Sequence, residues 1–259
     1  SSQRWFDYYQ VSDKRNIVVP QFPDRTTALP GQSMSSTSSV IPLRIDIVSD
    51  VVCPWCIIGY KQLQRALLQL EDIFAVDLHW QPFELNPDMP PEGQELREHL
   101  AQKYGSSPEQ SRGARERLTE LGDALGFTFD YFDGMRMYNT FNAHQLLYWA
   151  AQQGKQTPLK LALFDAFFSR RENVGDSQSL SMVAGRVGLD PVEALDVLAT
   201  QPYATAVREE QARWLDREVH AVPMFYFNDN YPVPGAQEAQ TFVRVLEKLK
   251  SKIAPSVNG

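Results

Sequence analysis

The chain contains two cysteines, and only two residues separate them: Cys53-Pro54-Trp55-Cys56. A run rich in β-formers precedes them at 43–48, and a run with apolar residues at helical spacing follows at 57–70. That order places Cys53 at a helix N-terminus. Unpaired backbone N–H groups and the helix dipole favour a thiolate there over a thiol. A thiolate beside a second thiol is the minimum apparatus for disulfide exchange. Cys53 is the expected nucleophile and the more exposed of the two, and Cys56, one turn on, is the expected resolving thiol. Pro54 falls in the first helical turn, where its missing N–H would have had no partner anyway. A zinc site would need two more soft or imidazole ligands. There is no second cysteine pair, and His79, His99, His144 and His220 are scattered, so no metal is expected.

The elements that must position this pair follow from periodicity. Residues 43–48 alternate as a first strand, 57–70 form a first helix and 76–85 a second strand, ended by Asn86-Pro87-Asp88 and Pro90-Pro91. Helical runs are predicted at 92–104, 108–125, 141–153, 158–171, 179–187, 191–200 and 203–218. A hairpin follows, with strands at 224–227 and 231–233 around Asn228-Asp229-Asn230, and a last amphipathic helix at 237–252. The fold class is α/β: a mixed sheet with helices on its faces, interrupted by an all-helical insertion. The predicted division is 41–88 with 202–253 as one domain and 89–201 as the insertion. Residues 1–40, rich in Ser, Thr, Pro and Gln, read as an extension or linker.

Composition narrows the function. The chain has 259 residues, 43% of them hydrophobic, and can bury a sizeable core. A net charge of −7 argues against nucleic acid as the main partner. No apolar run approaches the roughly 20 residues of a membrane span, and no secretory leader is visible, so a cytoplasmic protein with no membrane partner is expected. No Gly-rich phosphate loop suggests a nucleotide.

Several segments in this order resemble the DsbA family, and within it the FrnE-like branch of disulfide oxidoreductases. They are Ser49-Asp50-Val51-Val52-Cys53-Pro54-Trp55-Cys56 with Ile58-Gly59, Phe83-Glu84-Leu85-Asn86-Pro87, Asn139-Thr140 with Ala143-His144, and Val222-Pro223-Met224-Phe225 leading to Val233-Pro234-Gly235. Ala221 stands where that branch usually has glycine. The resemblance implies a thioredoxin fold with a helical insert. It also implies a cis Pro223 facing the cysteines, with Val222 pairing its backbone to an extended substrate.

Other residues carry two readings each. Asp50 and Glu84 are candidate proton acceptors if buried with raised pKa; otherwise Asp50 is a cap and Glu84 a solvated strand residue. Asn139 and His144 either overhang the cleft or are structural. Trp55 brings no positive charge, so the potential is expected between the most oxidising members of the fold, about −120 mV, and thioredoxin, about −270 mV.

The leading function is a thiol–disulfide oxidoreductase or isomerase acting on protein or small-thiol disulfides. It would have no bound organic cofactor, and glutathione would be a candidate co-substrate. The alternatives are a glutathione-dependent isomerase or transferase of the hydroxychromene-carboxylate isomerase and kappa type, and a redox-switched peptide-binding module. The oligomeric state is open, with a dimer among the options.

Overall fold

A computed structural model describes residues 40–253. The N-terminal extension expected at 1–40 thus lies, apart from Val40, outside the described residues. The elements run β1 (Ile41–Ser49), α1 (Pro54–Leu68), β2 (Phe74–Pro82), β3 (Gln94–Glu95), α2 (Leu96–Tyr104), α3 (Pro108–Leu125), β4 (Arg136–Met137) and α4 (Phe141–Ala151). They continue with α5 (Gln156–Phe168), α6 (Ser177–Arg186), α7 (Pro191–Thr200), α8 (Ala204–Asp216), β5 (Met224–Phe227), β6 (Tyr231–Pro234) and α9 (Ala239–Ile253).

The main sheet has the order β2-β1-β5-β6. β1 pairs parallel with β2 and antiparallel with β5, and β6 closes the hairpin at the far edge. Because β1 is central, Leu43, Ile45 and Ile47 on one side and Asp46 and Val48 on the other are all buried. β6 carries Pro232 and Pro234, which an edge strand tolerates because it has no outer partner to lose. The opposite edge, β2, is shielded differently. The Gln156 amide accepts from the Trp80 N–H at 2.9 Å and donates to the Trp80 carbonyl at 3.0 Å, standing in for a strand.

Helix α1 buries Cys56, Ile57, Tyr60, Leu63 and Ala66 and packs along α9. Gly59 lets it approach β5: a Cβ there would lie 3.0 Å from Phe225 Cζ and 3.2 Å from Ala236 Cα. The regular elements between β2 and β5 are helices except β3 and β4, two-residue strands that pair antiparallel. The first predicted insertion helix therefore starts at Leu96, after Gln94 and Glu95 have been drawn into that ribbon. Helix α5 is apolar on most sides and packs against α4, α6, α1 and β2, as a centrally buried helix should.

The second strand lies at Phe74–Pro82, three residues before its predicted end. Its span is set by pairing with β1, from Ile41 opposite Phe74 to Ser49 opposite Pro82. Phe83, Glu84 and Leu85 belong to the loop beyond it. Among the described residues no helix is long and apolar enough to cross a membrane.

Candidate active site

The chain leaves β1 through Asp50-Val51-Val52 and enters α1 at Cys53. Cys53 is the N-cap, with extended backbone (φ −92°, ψ 111°) and no capping bond from its side chain, and Pro54 opens the helix. Its sulfur is therefore free for chemistry rather than committed to the helix end. Both cysteines are free thiols. Cys53 is 4% exposed and Cys56 fully buried, so the expected order of exposure holds by a small margin. Across from Cys53 lies the turn into β5. The Val222–Pro223 peptide is cis, and the Val222 carbonyl accepts from Cys53 Sγ at 3.6 Å. Trp55 is partly buried against the core.

The charge is distributed differently from the expectation of a Cys53 thiolate. Burial pushes the Cys53 thiol well above its usual value, and the neighbouring Cys56 sulfur pushes it further. Burial would also raise Cys56, but the neighbouring Cys53 thiol, the Ser49 hydroxyl and the Lys160 ammonium outweigh this and hold it below the usual thiol value. Both sulfurs are buried, and what separates them is that Cys56 has the Ser49 hydroxyl and the Lys160 ammonium beside it. Tyr104 is close enough to sense Cys53: burial first and the sulfur second raise its hydroxyl.

Asp50 is fully buried and accepts from the Val51 N–H at 2.7 Å and the Leu85 N–H at 2.8 Å. His144 Nε2 lies 3.2 Å from the same carboxylate and 3.0 Å from the Phe83 carbonyl. Both neighbours are acceptors, so Nε2 carries the hydrogen. Burial alone would raise the Asp50 carboxyl. The His144 bond and charge, the Leu85 N–H and Lys160 reverse this and leave it below the usual range. A raised Asp50 was the condition for a proton acceptor, and the structure gives the opposite shift. Here Asp50 ties the start of α1 to the loop after β2.

Glu84 is buried, and its carboxylate pairs with Arg208 of α8, whose guanidinium stacks 3.7 Å over the Phe141 ring. It is neither a solvated strand residue nor in contact with the dithiol. Asn139 donates to the Pro87 and Met89 carbonyls at 3.3 and 3.2 Å and accepts from the Phe141 N–H at 3.0 Å. It straps the loop after β2 to the start of α4. The structure thus brings Cys53, Cys56, Asp50, His144, Val222 and Pro223 together and leaves Glu84 and Asn139 beside them.

Sequence reasoning missed Lys160. It is fully buried on α5, donates to the Ser49 carbonyl at 3.5 Å, and lies 5.3 Å from the Trp80 ring and 5.1 Å from the Phe164 ring. The signal was a lone cation inside Leu159-Lys160-Leu161-Ala162-Leu163-Phe164, since lysine is almost never fully buried unless paired.

Residues 44–247 match the family described as DSBA-like thioredoxin domain. A probable DsbA oxidoreductase from Streptomyces coelicolor is 30% identical, with a TM-score of 0.78 over 82% of this chain and 92% of that one. An uncharacterized protein, YwbO, from Bacillus subtilis (strain 168) is 24% identical over 211 residues, 81% of this chain and 98% of that protein. The cytosolic disulfide reductase DsbM from Pseudomonas aeruginosa, solved with GSH, shares the fold at 17% identity, with a TM-score of 0.52 over 80% of this chain and 98% of that one.

Proposed function

The chain belongs to the DSBA-like thioredoxin domain family, and from that membership we propose that it is a thiol–disulfide oxidoreductase working through Cys53 and Cys56. The observation that carries this reading is the thiol pair at the start of α1, with Cys53 Sγ 3.6 Å from the Val222 carbonyl.

The nucleophile under this reading is the Cys53 thiolate, with Cys56 as the neighbouring thiol. Cys53 then attacks one sulfur of a substrate disulfide, and the other sulfur leaves as a thiolate. Cys56 gives its proton to that leaving group and attacks Cys53 Sγ. The second substrate sulfur departs, and the protein is left with a Cys53–Cys56 disulfide. Two electrons have moved to the substrate, and a dithiol or two glutathiones would return them. The Val222 carbonyl, which faces Cys53, would take a substrate N–H in place of the thiol, holding an extended peptide as an added strand.

The substrates under this reading are peptide or protein disulfides and small thiols such as glutathione, and the segments around Asp50, Glu84 and Val222 favour the FrnE-like branch. Direction follows the compartment's poise: reductase or isomerase in a reducing cytosol, disulfide donor in an oxidising space.

Equilibrating the protein in graded glutathione buffers, with alkylation and mass analysis, tests the reading. The expected result is one two-electron transition between dithiol and intramolecular disulfide, at a potential between about −270 and about −120 mV. A persistent single glutathione adduct would overturn it in favour of glutathione-dependent isomerase or transferase chemistry. The absence of any transition would leave a peptide-binding module.

A further inference from the structure

A cavity of about 490 Å³ opens between the β2 edge and helices α4, α5 and α8, a size that takes a small molecule. Neither cysteine lines it. Lys160 of α5 forms part of its wall and is fully buried. The ammonium has three hydrogens. Among the described residues it has one hydrogen-bond acceptor, the Ser49 carbonyl at a long 3.5 Å, and beyond that the faces of Trp80 and Phe164. A buried ammonium is costly unless it is hydrogen-bonded and paired. Asp50 acts on it only through space, because its carboxylate oxygens serve Val51, Leu85 and His144.

The rest of the wall sets the sign of a ligand. Its other basic groups include Arg44 of β1, His79 of β2 and Arg213 of α8, and its one carboxylate is Glu210 of α8. Arg213 lies 2.8 Å from Glu210, so that carboxylate is neutralised and does not oppose an incoming anion. Arg44 forks onto Asp46 at 2.8 Å, and His79 lies 2.8 Å from Asp77. Lys160 is the lining cation with no carboxylate in contact. His79 Nε2 and Glu210 Oε2 are nevertheless buried without a hydrogen bond, since a close opposite charge is not an aligned bond. The wall thus has hydrogen-bonding capacity that the protein itself does not use. Leu147 and Ala151 of α4 and Val207 of α8 add an apolar part.

We propose that this cavity is a binding site for a small organic carboxylate, its anionic head on Lys160 and its carbon body against Leu147, Ala151 and Val207. The carboxylate brings acceptor oxygens to the ammonium hydrogens that Ser49 leaves over, and such charge-assisted bonds are the strong ones. An inorganic anion would answer Lys160 but leave the apolar wall uncovered. A cationic ligand would meet Arg44, Lys160 and Arg213. The site goes beyond the redox reading of the cysteine pair and does not depend on it.

The test is calorimetric titration of the protein with hexanoate, with its neutral amide hexanamide and with inorganic phosphate. Hexanoate should bind saturably and at least about tenfold more tightly than either of the others. Ala151→Trp fills the cavity from the exposed last residue of α4. It should abolish hexanoate binding while the cysteine transition in glutathione buffers stays as in the wild type. No saturable binding, equal affinity for hexanoate and hexanamide, phosphate bound as tightly as hexanoate, or a folded Ala151→Trp protein that binds like the wild type would each overturn the proposal. A second readout needs no variant. Burial lowers the Lys160 ammonium to about 8, and in protein with labelled lysine its titration should move to higher pH when hexanoate is bound. An unmoved titration at saturating hexanoate would take Lys160 out of the site and equally overturn the assignment.

Discussion

Replacing Asp50 by alanine should cost the fold more than any exposed substitution. The carboxylate is fully buried and accepts three hydrogen bonds, from the Val51 N–H at 2.7 Å, the Leu85 N–H at 2.8 Å and His144 Nε2 at 3.2 Å. His144 keeps the Phe83 carbonyl at 3.0 Å when Asp50 is gone, so two donors are left without partners. At about 1–3 kcal/mol for each orphaned buried donor, the loss is about 2–6 kcal/mol. Asp50→Asn retains one oxygen and turns an amide N–H₂ toward a backbone donor, so it should lose about 1–3 kcal/mol.

The pH dependence has a fixed sign. The folded carboxyl lies below its usual value, so its stabilisation is present above the unfolded value of about 4 and is lost as pH falls through the lower folded value. The gap between wild type and Asp50→Asn should therefore be widest at neutral pH and shrink below about pH 4. Urea unfolding followed by tryptophan fluorescence, read at unchanged m, measures both effects. An Asp50→Ala protein as stable as wild type, or an Asn gap that does not narrow in acid, would refute the view that an ionised Asp50 pins α1 to the loop after β2.

Cys56→Ser should remove the resolving sulfur, which is also the acid for the leaving group. Turnover in an insulin-reduction assay should fall by about 10²-fold or more, and mass analysis should find mixed disulfides held on Cys53; undiminished turnover would contradict the assignment. Gly59→Ala should destabilise the protein despite its better helix propensity. The new Cβ would sit 3.0 Å from Phe225 Cζ and 3.2 Å from Ala236 Cα, and overpacking of about 1–3 kcal/mol outweighs a propensity gain of about 1 kcal/mol. A raised urea midpoint would show that α1 does not approach β5 this closely.

Much of the architecture was written locally. Helix α3 begins and ends where its sequence says, because Ser107 and Gln110 form a capping box, Pro108 opens the helix, and Gly126 closes it in the left-handed region. The dithiol's place at a strand-to-helix junction followed from periodicity on either side of Cys53 and Cys56 and from Pro54 at the first helical position. The limits of β2 did not, since strand length is decided by the partner strand. The Leu85 N–H, read as part of a ladder, in fact serves the Asp50 carboxylate.

What the sequence by itself determined is the place of the cysteine pair, the order of the main-sheet strands and the helices, and the loop that faces the pair. The charge state of the site was decided only by tertiary structure. His144 reaches Asp50 across 94 residues and Lys160 reaches Ser49 across 111, and the groups they bring in help to lower Asp50 and Cys56. Helix and turn signals act over a few residues along the chain. Ionisation depends instead on burial and on charges nearby in space, and no local pattern records which distant side chains the fold will bring there.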